Sequence, residues 1–289
     1  MIGKKILITG ANGMLGSSLV EKMGSKDLRG FSSEDLDITN RENVQEVLTQ
    51  FQPDIIIHTA AFTNVEACEI EKDKAYSVNT MGTQNLVDYC LDRDVLFVYI
   101  SSTGVYGNQK KEEAYYEFDA ANPTTVHHMS KFLGEEVVKN HLKRFLILRT
   151  GWLYGGSKES HKNFVYKRYL DGLNKDRVYS DDSQIGNPTF VGNLCNQIEL
   201  LLREDLHGIF NCVDNAQLVS RHEYVKTIIE LFELPCQVDV APEKMYKRVA
   251  PVSKNESAVN YKLQLMGKNV MRDWKSSLKD YINQLQEQI

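Results

Sequence analysis

Three glycines spaced three residues apart, Gly10, Gly13 and Gly16, follow directly on the apolar run Ile6-Leu7-Ile8 and Thr9. In that setting the first glycine permits a tight strand-to-helix turn, and the second lets backbone approach a pyrophosphate. The third lets the next helix pack close to the sheet with its N-terminus aimed at the phosphates. The chemistry implied is the cradling of a dinucleotide. The alternative is an ordinary glycine-rich turn with no ligand. Other residues able to do chemistry gather in short segments after further apolar runs. Ser101-Ser102-Thr103 is a hydroxyl cluster able to hydrogen-bond a carbonyl, or else a polar turn that caps a strand. His58-Thr59-Ala60-Ala61-Phe62-Thr63 carries small residues that let a cofactor lie against backbone. Lys131, on a helix after Pro123, and the segment Arg149-Thr150-Gly151-Trp152-Leu153-Tyr154 complete the set.

For these segments to meet, strands and helices must alternate in the first half of the chain. Apolar runs predict strands at Lys5–Thr9, Ile55–Thr59, Leu96–Ile100 and Arg144–Leu148, with a strand ending near Phe31 between the first two. Helices are predicted at Met14–Met23, Arg41–Phe51, Lys72–Leu91 and Thr125–Leu142. Asn40 is placed to cap the second of these. The alternation argues for an α/β, doubly wound parallel sheet, with its ligand crevice outside the carboxyl ends of the strands. The second half is less regular. Helices are predicted at Asn163–Leu173, Arg221–Phe232 and Lys275–Gln286, and a short strand at Gly208–Val213, separated by loops at 155–163, 180–189 and 250–257. Residues 1–150, joined by roughly 187–214, read as the sheet domain; 151–186 and 215–289 read as a smaller, interleaved lobe.

Bulk properties exclude several classes. A hydrophobic content of 42% and a charged content of 25% are those of a soluble globule. The net charge of −5 provides no footprint for nucleic acid. No run approaches the roughly 18 apolar residues of a membrane span, and the apolar run after Lys4-Lys5 is too short for a secretory signal. Five scattered cysteines without a C-x-x-C spacing suggest neither a metal site nor a disulfide framework, and fit reduced thiols in the cytoplasm.

Further segments are more specific than the glycines. They are Asp35-Leu36-Asp37-Ile38-Thr39, Pro53-Asp54 leading into Ile55-Ile56-Ile57-His58, Val78-Asn79-x-x-Gly82, and Arg149 to Gly155. Asn163-Phe164, Gln184-Ile185-Gly186-Asn187-Pro188-Thr189 and Asp273-Trp274 follow. Together they resemble the extended short-chain dehydrogenase/reductase superfamily and, more narrowly, the dTDP-4-dehydrorhamnose reductase family, along nearly the whole chain. The resemblance implies a Rossmann-type sheet domain with a C-terminal substrate-binding lobe. It implies reduction of a 4-keto group on a nucleotide-linked deoxysugar by a reduced nicotinamide dinucleotide. By match, Gly10, Asn12, Gly13, Met14 and Leu15 would face the pyrophosphate, and Asp37 and Ile38 the adenine. Ala60, Ala61, Thr63 and Asn79 would line the cofactor path. Ser102 would hydrogen-bond the keto oxygen, and Lys131 would hold the nicotinamide ribose and lower the pKa of the proton donor. Thr103, Val105, Trp152, Asn163 and Gln184 would meet the substrate.

Two departures stand out. The family places its proton-donating tyrosine four residues before the lysine, and here that position is His127. Lys131 nearby favours the neutral imidazole, which is a weak acid. General acid catalysis is typically worth about 10²–10⁴-fold. Either His127 donates, with a substrate phosphate restoring the imidazolium, or the reductase site is weak. The bland reading makes His127 and His128 surface-facing helix residues beside an impaired site. Secondly, Ser101-Ser102-Thr103-Gly104-Val105-Tyr106 is closer to sugar-nucleotide epimerases and dehydratases, with Thr103 in place of the family's aspartate.

At the end of the second strand, Ser32 replaces the acidic residue that selects NAD, and Ser33 and Arg29 tolerate a 2′-phosphate. NADP(H) is therefore the favoured cofactor, with NAD(H) left open by Glu34 and Asp35. Tyr115 and Tyr116 read as surface residues, either able to supply a substitute phenol, and Glu66, Glu69 and Glu71 as a solvated helix start. The reading is a cytoplasmic sugar-nucleotide reductase, with a homodimer left open. Its alternatives are a non-catalytic NADP(H)-binding regulatory or scaffold relative, and a sugar-nucleotide epimerase or dehydratase.

Overall fold

The computed structural model describes all residues except 1–2, 25, 111, 159, 161–162, 243–244 and 246. Three positions of the expected 155–163 loop thus lie outside the described residues. In chain order the first half runs β1 (Ile6–Thr9), α1 (Met14–Met23), β2 (Leu28–Phe31), α2 (Arg41–Phe51), β3 (Ile55–His58) and α3 (Val65–Ile70). It continues with α4 (Lys72–Tyr76), α5 (Gly82–Cys90), β4 (Leu96–Ser102), α6 (Val126–His141) and β5 (Phe145–Thr150). The second half holds β6 (Leu153–Tyr154), α7 (Phe164–Asn174), β7 (Arg177–Ser180), β8 (Ile185–Gly186), β9 (Thr189–Phe190) and α8 (Val191–Arg203). After these come β10 (Gly208–Asn211), β11 (Val219–Ser220), α9 (Arg221–Leu231), β12 (Gln237–Val240), α10 (Tyr261–Leu265) and α11 (Trp274–Gln286).

Six strands form one parallel sheet in the order β2-β1-β3-β4-β5-β10. The period-2 alternation of each strand feeds two cores. Ile6, Ile8, Ile57, Val98 and Leu148 point to the face covered by α1 and α8. Leu7, Ile56, Phe97 and Ile147 point to the face covered by α2, α5 and α6. Burial on both faces explains why these strands read as unbroken apolar runs. The chain leaves β1 for β2 on one side and returns to β3 on the other. The strand order therefore switches between β1 and β3, where an open α/β sheet receives a ligand. The smaller strands pair in three two-stranded ladders, and α7, α9 and α11 enclose a third, aromatic-rich core around Tyr154, Tyr224 and Trp274.

The expected strands form, with β4 and β5 reaching further than the sequence indicates, to Ser102 and Thr150. Met14–Met23 and Arg41–Phe51 are helical over the expected spans, and Asn40 Oδ1 accepts the Asn43 N–H at 3.1 Å as a cap. The single helix expected over Lys72–Leu91 is instead interrupted by a π-helical turn at Ser77–Met81. Helix α8, absent from the sequence reading, is masked there by Gly192, Asn193 and Asn196. Its apolar Leu194, Ile198 and Leu201 nevertheless face the sheet.

Candidate functional site

A cleft of about 640 Å³ runs over the carboxyl ends of β1, β3, β4 and β5. Its floor is built by the glycine turn. Gly10 sits at φ +67°, and a Cβ there would lie 2.8 Å from the Ala60 backbone. A Cβ on Gly16 would lie 2.2 Å from the Gly10 carbonyl oxygen, so α1 can approach β1 only without a side chain at that position. Helix α1 is capped by Gly13 without a side-chain hydrogen bond and has no acidic residue in its first turn. Its N–H groups and positive dipole end are therefore available to an anion. These residues fit the pyrophosphate of a dinucleotide.

The loop after β3 is held by an oriented chain of hydrogen bonds. Ala60 N–H donates to Thr9 Oγ1 (3.2 Å), whose hydroxyl donates to His58 Nδ1 (2.8 Å). On the other side of the ring, Nε2 donates to Thr83 Oγ1 (3.1 Å), whose hydroxyl donates to the Asn79 carbonyl (2.8 Å). One hydrogen on His58 satisfies both ends, and complete burial pushes its pKa well below the ordinary histidine range, keeping it neutral. Asn79, in the π turn, clamps Phe62 from both sides. Its Oδ1 accepts the Phe62 N–H (2.8 Å), and its Nδ2 donates to the Phe62 carbonyl (3.1 Å) and to Ser130 Oγ (2.9 Å).

Ser102, the last residue of β4, accepts the Gly104 N–H at 3.2 Å, and its own hydrogen is taken by no acceptor among the described residues. Helix α6 carries His127 and Lys131 one turn apart. Thr125 Oγ1 caps it by accepting the His128 N–H (3.1 Å), and Glu69 Oε1 accepts the Val126 N–H (2.7 Å). His127 Nδ1 lies 3.1 Å from the Phe62 carbonyl oxygen. Burial, with help from His128 and Lys131, drives the His127 pKa down to about 3. Burial alone takes His128 down to about 4. Lys131 falls to about 7 as burial outweighs the attraction of Glu135. The Lys131 ammonium sits 4.0 Å from the centre of the Tyr99 ring. Behind it, Glu135 is saturated: Arg149 binds it in two-pronged fashion (3.0 and 2.7 Å), and Ser101 Oγ donates to it (2.5 Å).

At the other end of the cleft stands Trp152, held at φ +40°. Its indole N–H donates to Glu256 Oε2 (3.1 Å), and the Arg221 guanidinium lies 3.5 Å over the ring. Arg248 lines the same end. Neither arginine makes an ion pair among the described residues. His128 Nε2 stands 4.0 Å from Glu256 Oε1. Burial raises the Glu256 pKa, opposed by the Trp152 hydrogen bond and by Arg221.

Of the residues singled out in the sequence, Ser102, His127 and Lys131 converge on this cleft. Gly10, Asn12, Gly13, Met14 and Leu15 line it at the α1 end. Ser33, Asp37 and Ile38 line it beyond β2, and Ala60, Ala61 and Thr63 beyond β3. Trp152 and Gln184 line it opposite, and the Gln184 side-chain oxygen has no partner among the described residues.

Five residues fall outside it. Ser32 turns away because its N–H and hydroxyl both donate to Asp35 Oδ2 (3.1 and 2.7 Å). Asn79 lies behind the wall, where it positions Phe62. Thr103 is buried beneath Gly151, and Val105 is a core residue of the turn after β4. Asn163 is committed to capping α7 and to Tyr281 Oη.

Three surface expectations also give way. His127 and His128 are buried, at 8% and 4% exposure, because α6 packs its first turn against α3 and the turn after β4. Tyr115 is fully buried and stacked on Tyr106, while Tyr116 remains exposed. Glu66 and Glu69 are not merely solvated. Glu66 Oε2 accepts the Val249 and Ala250 N–H groups, and Glu69 accepts that of Val126. All five cysteines are buried and unbridged. No metal-holding cluster and no helix long and apolar enough to cross a membrane occurs among the described residues. Sequence reasoning missed Arg221, Arg248 and Glu256 as site residues. The Ser220-Arg221-His222-Glu223 helix start was the one local signal available for Arg221.

Known proteins resemble this chain along nearly its whole length. The family described as RmlD substrate binding domain matches residues 4–287. The spore coat polysaccharide biosynthesis protein SpsK of Bacillus subtilis (strain 168) is 29% identical over 282 residues, 97% of each chain. A crystal structure of a dTDP-4-dehydrorhamnose reductase from Clostridium acetobutylicum ATCC 824 superposes with a TM-score of 0.92 at 32% identity, covering 97% of this chain and 99% of that one. A dTDP-4-dehydrorhamnose reductase from Bacillus anthracis str. Ames, in complex with NADP, gives 0.91 at 31% identity over the same shares.

Proposed function

We propose, from the premise that this chain belongs to the RmlD substrate binding domain family, that it reduces the 4-keto group of a nucleotide-linked deoxysugar. The observation that carries this reading is one continuous cleft with three kinds of lining. A dinucleotide cradle lies at Gly10–Gly16, Ser102 and Lys131 stand at mid-cleft, and Trp152 lies at the far end with Arg221 and Arg248, which form no ion pair among the described residues. Aromatic surface beside paired cations suits a sugar linked to a nucleoside diphosphate.

A reduced nicotinamide dinucleotide, when bound, supplies the hydride. The free Ser102 hydroxyl hydrogen bonds the substrate carbonyl oxygen and stabilises the charge that grows there. Lys131, 4% exposed, provides positive charge at mid-cleft. His127 occupies the tyrosine position of the family and, in its neutral form, offers a nitrogen lone pair. NADP(H) is the preferred cofactor and NAD(H) the alternative. Ser33 lines the cleft beyond β2, the Arg29 guanidinium stands over Phe31 (4.7 Å), and the neighbouring Asp35 is already engaged by Ser32. Residues 1–150 with roughly 187–214 form the dinucleotide-binding domain, and 151–186 with 215–289 the substrate lobe. The grouping of Val191–Cys212 with the sheet core supports that division.

The test mixes the protein with NADPH or NADH and a panel of dTDP-, GDP-, UDP- and CDP-linked 4-keto-6-deoxy sugars, following absorbance of the reduced cofactor. Consumption with one of them is expected. Tight NADPH binding without turnover on any sugar would overturn the reading in favour of a cofactor-holding regulatory subunit. The observation favouring that second reading is the neutral His127 where the family has a phenol.

A further inference from the structure

We infer that Lys131 is the proton source of this site and that His127 is held as a proton acceptor; the inference rests on the reductase reading above. A carbonyl oxygen can only accept, and Cys68 Sγ, 4.0 Å from His127 Nδ1, donates to the same Phe62 carbonyl (3.5 Å), so the 3.1 Å contact between His127 Nδ1 and that carbonyl places the ring hydrogen on Nδ1. The neutral ring then carries a lone pair on Nε2 and has no second hydrogen to give. The Phe62 peptide is not free to turn and release this choice, because Asn79 grips its N–H and its carbonyl together (2.8 and 3.1 Å). Asn79 also fixes the helix that carries the ring. It donates to Ser130 Oγ (2.9 Å), whose hydroxyl donates to the His127 carbonyl (2.8 Å).

Lys131 lines the cleft one turn along α6, is 4% exposed, and takes no ion pair among the described residues. The carboxylate one further turn along, Glu135, is occupied by Arg149 and Ser101. The ionisable groups facing Lys131 are His127 and Glu135 on its own helix, Tyr99 on β4 and His58 on β3. Tyr99 cannot substitute as donor to substrate, since its hydroxyl is turned to the Asn79 and Lys131 carbonyls (3.4 and 3.2 Å) and burial raises its pKa. With the substrate bound, the carbonyl carbon gains a hydride from a reduced nicotinamide dinucleotide, which is oxidised. The C=O π pair moves onto oxygen, and that oxygen takes a proton from Lys131 Nζ. Lys131 is left as a neutral amine and is reprotonated by solvent.

The experiment pairs ¹⁵N-histidine and ¹³Cε-lysine NMR on the free protein with pH profiles of reduction. The expected spectra show His127 as the Nδ1–H form and Lys131 titrating near neutrality. Wild-type kcat then stays level up to about pH 7 and falls above it. Lys131→Arg, which keeps the charge but cannot release a proton, loses about 10²-fold or more while the His127 signals persist, showing an intact fold. His127→Asn lowers kcat by about tenfold or less and keeps the same alkaline limb. An Nε2–H His127, a Lys131 charged throughout to pH 9, or a rate already falling from pH 4 upward overturns the inference. Absence of wild-type turnover with the spectra as expected fails the reductase reading, and the role of Lys131 with it, but not the acceptor state of His127.

Discussion

Trp152 and Glu256, 104 residues apart in sequence, are joined by a hydrogen bond of 3.1 Å from the indole N–H to the carboxylate at the far end of the cleft. The indole's polar edge is thus satisfied by the protein, and its face carries the Arg221 guanidinium at 3.5 Å. Removing the carboxylate in Glu256→Ala leaves that N–H without its acceptor. We expect a loss of about 1–3 kcal/mol in urea unfolding and a higher KM for the sugar nucleotide. Glu256→Gln keeps an acceptor oxygen and recovers most of the stability.

Ser102→Ala removes a hydroxyl hydrogen that no acceptor takes among the described residues. A fall in kcat of about 10²–10³-fold is expected, with NADPH affinity, measured by fluorescence, held within about twofold.

Arg149 and Glu135 form a buried ion pair, 6% and 2% exposed at their side chains. Glu135→Ala strands the guanidinium, and chemical unfolding is expected to register a loss of about 3–5 kcal/mol. Replacing both partners by apolar residues of similar size should restore part of it, because no unpaired charge then remains.

Acid should unfold this protein early. His127 and His128 titrate near 6.5 when unfolded but are held to about 3 and about 4 when folded. As pH falls below about 6.5 the unfolded chain binds protons that the folded rings refuse, and stability drops continuously toward pH 4. Lys131 acts in a higher window. Its folded pKa of about 7 lies below the ordinary 10.5, so stability rises with pH between those values. The urea midpoint is expected to climb from pH 7 to pH 9, whereas between pH 4 and pH 7 Asp214, pushed up to about 7 by burial, opposes the histidine slope. His127→Asn and His128→Asn each remove part of the acid slope, on the order of a few kcal/mol.

Gly104 makes room for His128. A Cβ at Gly104 would lie 2.2 Å from the imidazole. Gly104→Ala should destabilise by about 1–3 kcal/mol through overpacking, and His128→Ala in the same chain should relieve the clash. Thermal unfolding of the two singles and the double measures the coupling.

The sheet, the glycine turn and the helix carrying Lys131 were legible because their signals are local. Apolar runs, the Gly10–Gly13–Gly16 spacing and the Asn40 cap act between residues a few positions apart. Likewise, the i, i+4 relation of His127 and Lys131 follows from helix geometry alone. Helix α8 has a clear apolar stripe at Leu194, Ile198 and Leu201, obscured at its start by Gly192 and Asn193, whereas the π turn at Ser77–Met81 has no local signal of its own.

What the amino-acid sequence determined by itself is the fold class, the glycine turn at Gly10–Gly16 and the presence of histidine where a phenol was expected. The tertiary structure decided how that histidine behaves. Its hydrogen is placed by a carbonyl 65 residues away, its neighbour His128 is buried against Gly104, and both rings are desolvated. It also decided the far end of the cleft, where Arg221 and Glu256 meet Trp152. Protonation state and recognition depend on burial and on partners distant in sequence, and these exist only once the chain is packed.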